Sequence, residues 1–281
     1  MILPLTLLAT LIPAPAQEDA RALLLRVVEN QERNQELQRQ YTYIETVRTE
    51  DSRKDGTARR REEETFEVTP APGGEYRRLI ARYGQPLTQN EVKKEEEKFQ
   101  KYIEESLKLS PTELEDKNQN LKRRVGRFES RVREALEVFE FSALPDADLS
   151  GRRVRVFEFS PLPGYEPHSR ATKLLHRTEG TVWIDPVRNQ IAKLHIRFRN
   201  EMKFALGLFG RISKGTEAVA QQVHIGDEIW LLDRIDVFLK GRFYFLKKYN
   251  RHMTLTYSDY KKYTVSTEEK VATDAMDKRP R

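Results

Sequence analysis

The sequence predicts an α+β fold: a curved antiparallel sheet, a half-open β-barrel, packed on an N-terminal helix and interrupted by an inserted helical hairpin. Three observations predict it. Residues 180–263 form a run of strand-like segments with nothing between them long enough to be a buried helix. Within that run Ala192, Leu194, Ile196 and Phe198 alternate with Lys193, His195, Arg197 and Arg199, the period of a strand with one wet face. Residues 88–141 carry two helix-start signals instead, Thr88-Gln89-Asn90-Glu91 and Ser110-Pro111-Thr112-Glu113, each a capping box. A sheet that is apolar on one side only must cover that side or offer it to a ligand.

The elements follow in order. Residues 1–16 are an uncharged apolar run ending Ala14-Pro15-Ala16. It reads as a signal peptide cleaved near Ala16, although no Lys or Arg precedes the apolar core. Glu18–Gln40 predicts a helix with Ala20, Leu23, Leu24, Val27 and Val28 on one face and a polar second half. Strands are expected at Tyr41–Glu50, Arg61–Pro70 and Glu75–Tyr83, punctuated by Lys54-Asp55-Gly56 and by Pro70-Ala71-Pro72-Gly73-Gly74. After Thr88 a thin stripe of Val92, Phe99, Ile103 and Leu107 predicts one helix. After Ser110, Leu121, Val125, Phe128, Val132, Ala135 and Phe139 form a heptad-like seam on a second helix, running to 141. A loop at Pro145–Gly151, a strand at Arg152–Phe159 and a long cationic connection at Ser160–Glu179 come next. Strands then follow at Gly180–Pro186, Ile191–Arg199, Lys214–Ile225, Glu228–Leu239, Gly241–Lys247 and His252–Tyr263. Residues 17–265 are thus expected to form a single domain, and the polar tail 266–281 to be disordered.

Composition excludes several functions. The chain has 281 residues and no cysteine, which rules out disulfides, thiolate catalysis and sulfur-ligated metals. Its formal charge of +6 falls wholly after residue 16 and suits an anionic surface such as lipid headgroups, or merely scattered surface cations. No nucleic-acid motif appears, and an exported protein is a poor nucleic-acid partner. None of the five histidines has a ligand-like neighbour on a helix, so no metal and no cofactor is expected. Asp146-Ala147-Asp148 reads as a turn cap rather than a calcium loop. No nucleophile elbow or phosphate loop is present, and no converging carboxylate pair is predicted, so the chain reads as a non-enzyme.

The candidate site is apolar. Its expected lining is Trp183, Leu194, Ile196, Phe198, Phe204, Leu206 and Trp230, with Trp183 and Trp230 equally readable as plain core. The run Phe204-Ala205-Leu206-Gly207-Leu208-Phe209-Gly210 admits two readings, a bulged corner of the sheet or a lip that touches a lipid tail. Arg170, Lys173 and Arg177 in the cationic connection are candidates for an anionic headgroup at the cavity mouth, or an ordinary surface loop.

Gly180-Thr181-Val182-Trp183-Ile184-Asp185-Pro186, Ile191–Phe198 and Leu255-Thr256-Tyr257-Ser258-Asp259-Tyr260 resemble the periplasmic lipoprotein-carrier superfamily, which includes the outer-membrane lipoprotein-sorting proteins and sensors of the same half-open barrel. Arg78-Leu79-Ile80, Gly84-Gln85-Pro86-Leu87 and Tyr257-Ser258-Asp259-Tyr260 look more closely like a group of uncharacterised exported bacterial proteins of that type, along nearly the whole mature chain. The resemblance implies a sheet wrapped around helices, with an apolar concavity for acyl chains. The expected function is therefore binding of a lipid, acyl chain or lipid-modified protein after export to the periplasm or beyond. The long charged insertion 88–141 and the basic balance depart from the carriers. They keep open a second reading, a non-catalytic envelope sensor or scaffold whose insertion binds a protein partner.

Overall fold

Two leucines and a valine decide where the first helix lies. The structure, a computed structural model, describes residues 20–52, 58–71, 74–204, 210–226, 228–243 and 247–263. The expected leader 1–16, the tail 266–281 and the apolar run 205–209, with Leu206 in it, lie outside those residues. In α1 (Ala20–Glu29) Leu23, Leu24 and Val27 are buried while Leu25 faces water, as one apolar stripe requires. Arg21 Nη1 donates to the Leu136 carbonyl at 2.7 Å and ties α1 to the end of a later helix. The polar α2 (Gln31–Gln38) follows and brings Leu37 against Tyr41, Ile229 and Leu231.

The strands are β1 (Tyr41–Ser52), β2 (Ala58–Ala71), β3 (Gly74–Arg82), β4 (Gln85–Pro86), β5 (Phe139–Leu149), β6 (Arg152–Pro161), β7 (Thr178–Asp185), β8 (Gln190–Phe198), β9 (Met202–Phe204), β10 (Gly210–Ile212), β11 (Glu217–Ile225), β12 (Ile229–Phe243) and β13 (Lys247–Lys262). They form one curved, open antiparallel sheet in the order β4-β3-β2-β1-β13-β12-β11-β8-β7-β6-β5, with β9 and β10 attached beside β12. β1 and β13 pair at its centre, so the first and last strands meet mid-sheet.

Between β4 and β5 run α3 (Gln89–Leu107) and α4 (Pro111–Val138), joined by three residues. Both open on complete capping boxes, Thr88 with Glu91 and Ser110 with Glu113. α3 buries none of its residues. It rests Phe99 and Tyr102 on Tyr76 of β3, and Arg78 and Arg82 of β3 reach Glu96 and Glu91. α4 uses only its last part in the core, through Val132, Leu136 and Val138. The side chains of Leu121 and Val125, expected in the seam, lie outside the described set. A short α5 (Arg170–Leu175) interrupts the cationic connection.

Besides the break at Asn30 that divides the expected first helix, and α5 within the expected connection, three elements depart from the sequence expectation. α4 stops at Val138, and Phe139 already has extended backbone. Phe139 and Phe141 also fit strand alternation, and burial of Phe139 against Phe159 settles the ambiguity for β5. The expected loop at 145–151 is mostly strand. A bulge between Leu144 and Ala147 absorbs Pro145 and Asp146, and Ser150-Gly151 closes a two-residue hairpin with φ of 52° and 73°. Asp148 caps that turn by accepting the Gly151 N–H at 3.0 Å. β12 runs without a break through Gly241, where two strands were expected.

Candidate functional site

Directly opposed residues in a sheet share a face, so the register traces rows across the molecule. One row reads Val47, Leu255, Ile235, Ala220, Leu194, Val182, Phe157 and Ala143, from β1 to β5. The next reads Thr49, Met253, Val237, Ala218, Ile196, Gly180, Phe159 and Phe141. Together they are the apolar face of the sheet, and its two halves differ.

Over β6 and β7 the face is sealed. Val182, Phe157 and Phe159 are 2%, 3% and 5% exposed, in one cluster with Leu23, Leu24 and Val27 of α1 and Val132 and Leu136 of α4. Leu194 and Ile196 pack against the same cluster. Over β11, β12, β13 and β1 the face is open. Val47, Leu255, Ile235, Ala220, Met253, Val237 and Ala218 are half-buried and belong to none of the buried clusters among the described residues.

At one end of the open half the row becomes polar and aromatic. Glu45 stands between Phe66 and Tyr257, is 7% exposed and pairs with Arg77, whose guanidinium lies 4.2 Å over the Phe66 ring. Tyr43 contacts both Tyr257 and Tyr260, and burial, more than the nearby carboxylates, raises the pKa of all three phenols. They therefore stand as neutral hydroxyls at physiological pH.

Where the open half meets α1 and α2 there is a cleft of about 190 Å³. Val27, Phe128, Ile191, Leu194 and Ala220 form its apolar wall; Asn34, Gln38, Gln190, Gln222 and Lys193 form its polar wall. A smaller cleft of about 140 Å³ adjoins it through Asn34 and Gln190. Both are smaller than the few hundred Å³ of an ordinary small-molecule pocket. These clefts are thus side chambers to the larger, half-buried apolar surface of the sheet.

The sequence-predicted lining divides accordingly. Leu194, Ile196 and Phe198 lie on the apolar face, the first two largely covered by the helices and Leu194 also on the cleft wall. Trp183 is on the opposite face: its cross-strand partner is Lys193, whose ammonium sits 5.0 Å from the ring centroid. The bulge that leaves Ala192 unpaired between Ile191 and Lys193 also removes Ala192 from the predicted face and packs it with Trp230. Trp230 is fully buried and donates from Nε1 to Asp185 at 2.8 Å, so it is core. Phe204 falls in β9, but its side chain, like all of Leu206, lies outside the described set. Arg170, Lys173 and Arg177 are exposed around α5, and Arg177 donates to the Glu201 carbonyl. α5 rests against α4 and β7, away from the open half.

The residues missed were Val47, Ile235, Val237, Met253 and Leu255. Their alternation was present in the sequence, Ile235-Asp236-Val237 and Met253-Thr254-Leu255. What was absent was any sign that the helices stop short of them.

No protein-family model matches the chain, and no curated protein sequence matches it. Its structural neighbours include lipoprotein-sorting and LolA superfamily proteins. A "putative outer membrane lipoprotein-sorting protein domain" from Vibrio parahaemolyticus is similar at a TM-score of 0.32 and 12% identity, over 91% of this chain and 98% of that one. A LolA superfamily protein from Nitrosomonas europaea is similar at 0.29 and 9%, over 90% and 97%. MucB is similar at 0.25 and 11%, over 92% and 98%; it has also been solved in complex with MucA(peri).

Proposed function

We propose that the protein is an exported, non-catalytic binding protein that holds an acyl chain, free or attached to a lipid-modified partner, against the open half of its sheet. The observation that carries this is the half-buried continuation of the core rows through Val47, Leu255, Ile235, Met253 and Val237, outside every buried cluster among the described residues. Each methylene laid there gains about 0.8 kcal/mol, so a shallow surface suffices. Export rests on the expected leader at 1–16, and an envelope destination on the same reading. Native mass spectrometry after gentle purification, followed by titration with a fluorescent fatty acid, tests it. Leu255→Asp is expected to weaken uptake at least tenfold, whereas Phe238→Ser, on the other face of the adjoining strand, leaves it intact. A protein that arrives empty and takes up no lipid overturns the reading.

A second reading, a sensor or scaffold that grips a protein through α3, is favoured by one observation. Val92 and Leu107 of α3 are 52% and 77% exposed. The double variant Val92→Lys, Leu107→Lys should abolish partner recovery under this reading and leave lipid uptake unchanged under the first. Deleting residues 88–141 would not separate the two, because Val132, Leu136 and Phe139 belong to the core.

A further inference from the structure

We infer that the bound lipid carries an uncharged, hydrogen-bonding head, of the glycerol or amide kind, and that this head sits in the carboxamide cleft beside α2. The inference deepens the acyl-binding reading and rests on it.

The cleft and the open face are continuous. Ala220 and Leu194 line the cleft and also stand in the row that continues to Ile235, Leu255 and Val47. A chain lying on the open strands therefore ends at the cleft mouth. What waits there is a set of amides. Asn34 and Gln190 are 4% and 5% exposed, deep for side chains of that polarity, and Gln38 and Gln222 complete the wall. Gln190 is committed at both ends, its Oε1 accepting the Trp230 backbone N–H at 3.2 Å and its Nε2 donating to the Trp230 carbonyl at 3.5 Å. Gln222 differs: its Oε1 is buried and meets no donor within the protein. A buried acceptor without a donor is costly, and a ligand hydroxyl or N–H would supply what it lacks.

The charged groups nearest the cleft point away from its amides or border the smaller cleft next door. Lys193 lies over the Trp183 ring. Arg33 and Arg188 border the adjoining smaller cleft, beyond Asn34 and Gln190, where Glu228 is already paired with Lys262 and Tyr41 and the Arg188 Nε is buried without a partner among the described residues. An ionised carboxylate or phosphodiester placed among Asn34, Gln38 and Gln222 would lose hydration and could not itself donate to the Gln222 Oε1, as a hydroxyl or N–H can. A carboxamide offers a donor and an acceptor at once, which suits a head presenting both.

The test compares three lipids with the same acyl chain: monolauroylglycerol, laurate and lauroyl lysophosphatidylglycerol, each titrated by calorimetry against the full-length mature protein. The expected order puts monolauroylglycerol about tenfold ahead of the two anions. Gln222→Leu and, separately, Gln38→Leu should each lower the monolauroylglycerol affinity about fivefold and leave laurate unchanged, with thermal melting showing that both variants fold. Equal binding of all three, tighter binding of an anion, or indifference to both substitutions overturns the neutral head alone. Uptake of none of the three overturns the acyl-binding reading together with it.

Discussion

Gly180 shows how one residue can be dictated by its neighbours across a sheet. A Cβ built there would lie 1.9 Å from the His195 carbonyl oxygen and 2.7 Å from the Phe159 ring, which folds over the glycine. Gly180→Ala is accordingly expected to lower stability by about 2 kcal/mol or more, read as a fall in the chemical-denaturation midpoint, because backbone and a buried ring must both move. A neutral result would mean that β7 and β8 are farther apart than they stand. On the opposite face, Asp236 accepts from Arg234, His252 and Thr254, and these bonds, the one from Arg234 foremost, hold its carboxyl at about 2. It stays ionised in the folded protein where an unfolded chain would already be protonated. Its contribution is therefore complete above about pH 4 and lost as pH falls toward 2. Asp236→Asn should cost about 1 kcal/mol at neutral pH, a gap that closes as the wild type is titrated through that window. A gap constant from pH 7 to 2 would assign the effect to packing.

Among the elements, α1 and α4 matter most because they decide which part of the sheet is left bare. Leu23 is wholly buried between them and β5–β8. Leu23→Ala should lower stability by about 3 kcal/mol, while Leu107→Ala on exposed α3 should change it by less than about 0.5 kcal/mol. Similar losses at both sites would mean that α3 is part of the core. The contrast also explains why the insertion was only half legible. The capping residues marked where both helices start. An apolar stripe, however, looks the same whether it meets a partner helix, a sheet or water, and α3 turned out to lay its aromatics on Tyr76. The α4–β5 boundary was obscured for a related reason, since Phe139 satisfies a helical and a strand period at once.

At the scale of the whole molecule, a continuous apolar face is shared between the protein's own helices and an open expanse next to a small polar cleft. If acyl chains fill that expanse, affinity should rise about fourfold per added methylene and level off once the strands from β11 to β1 are covered. A series of monoacylglycerols of increasing length measures this. Affinity independent of length would show that the chain is not laid on the sheet.

By itself the sequence determined the one-faced antiparallel strands, the amphipathic first helix and the starts of both inserted helices, because each follows from local periodicity or from a cap within four residues. It could place Leu194 and Ile196 on the apolar side for the same reason. Only the tertiary structure decided that Trp183 faces the other way, since Val182 pairs with Leu194 and Trp183 therefore pairs with Lys193 on the opposite side of the sheet. Only the tertiary structure, likewise, decided that Leu255 and Val237 are left half-buried while Val182 is sealed. All three alternate alike along the chain, and what separates them is the reach of two helices arriving from elsewhere in the sequence.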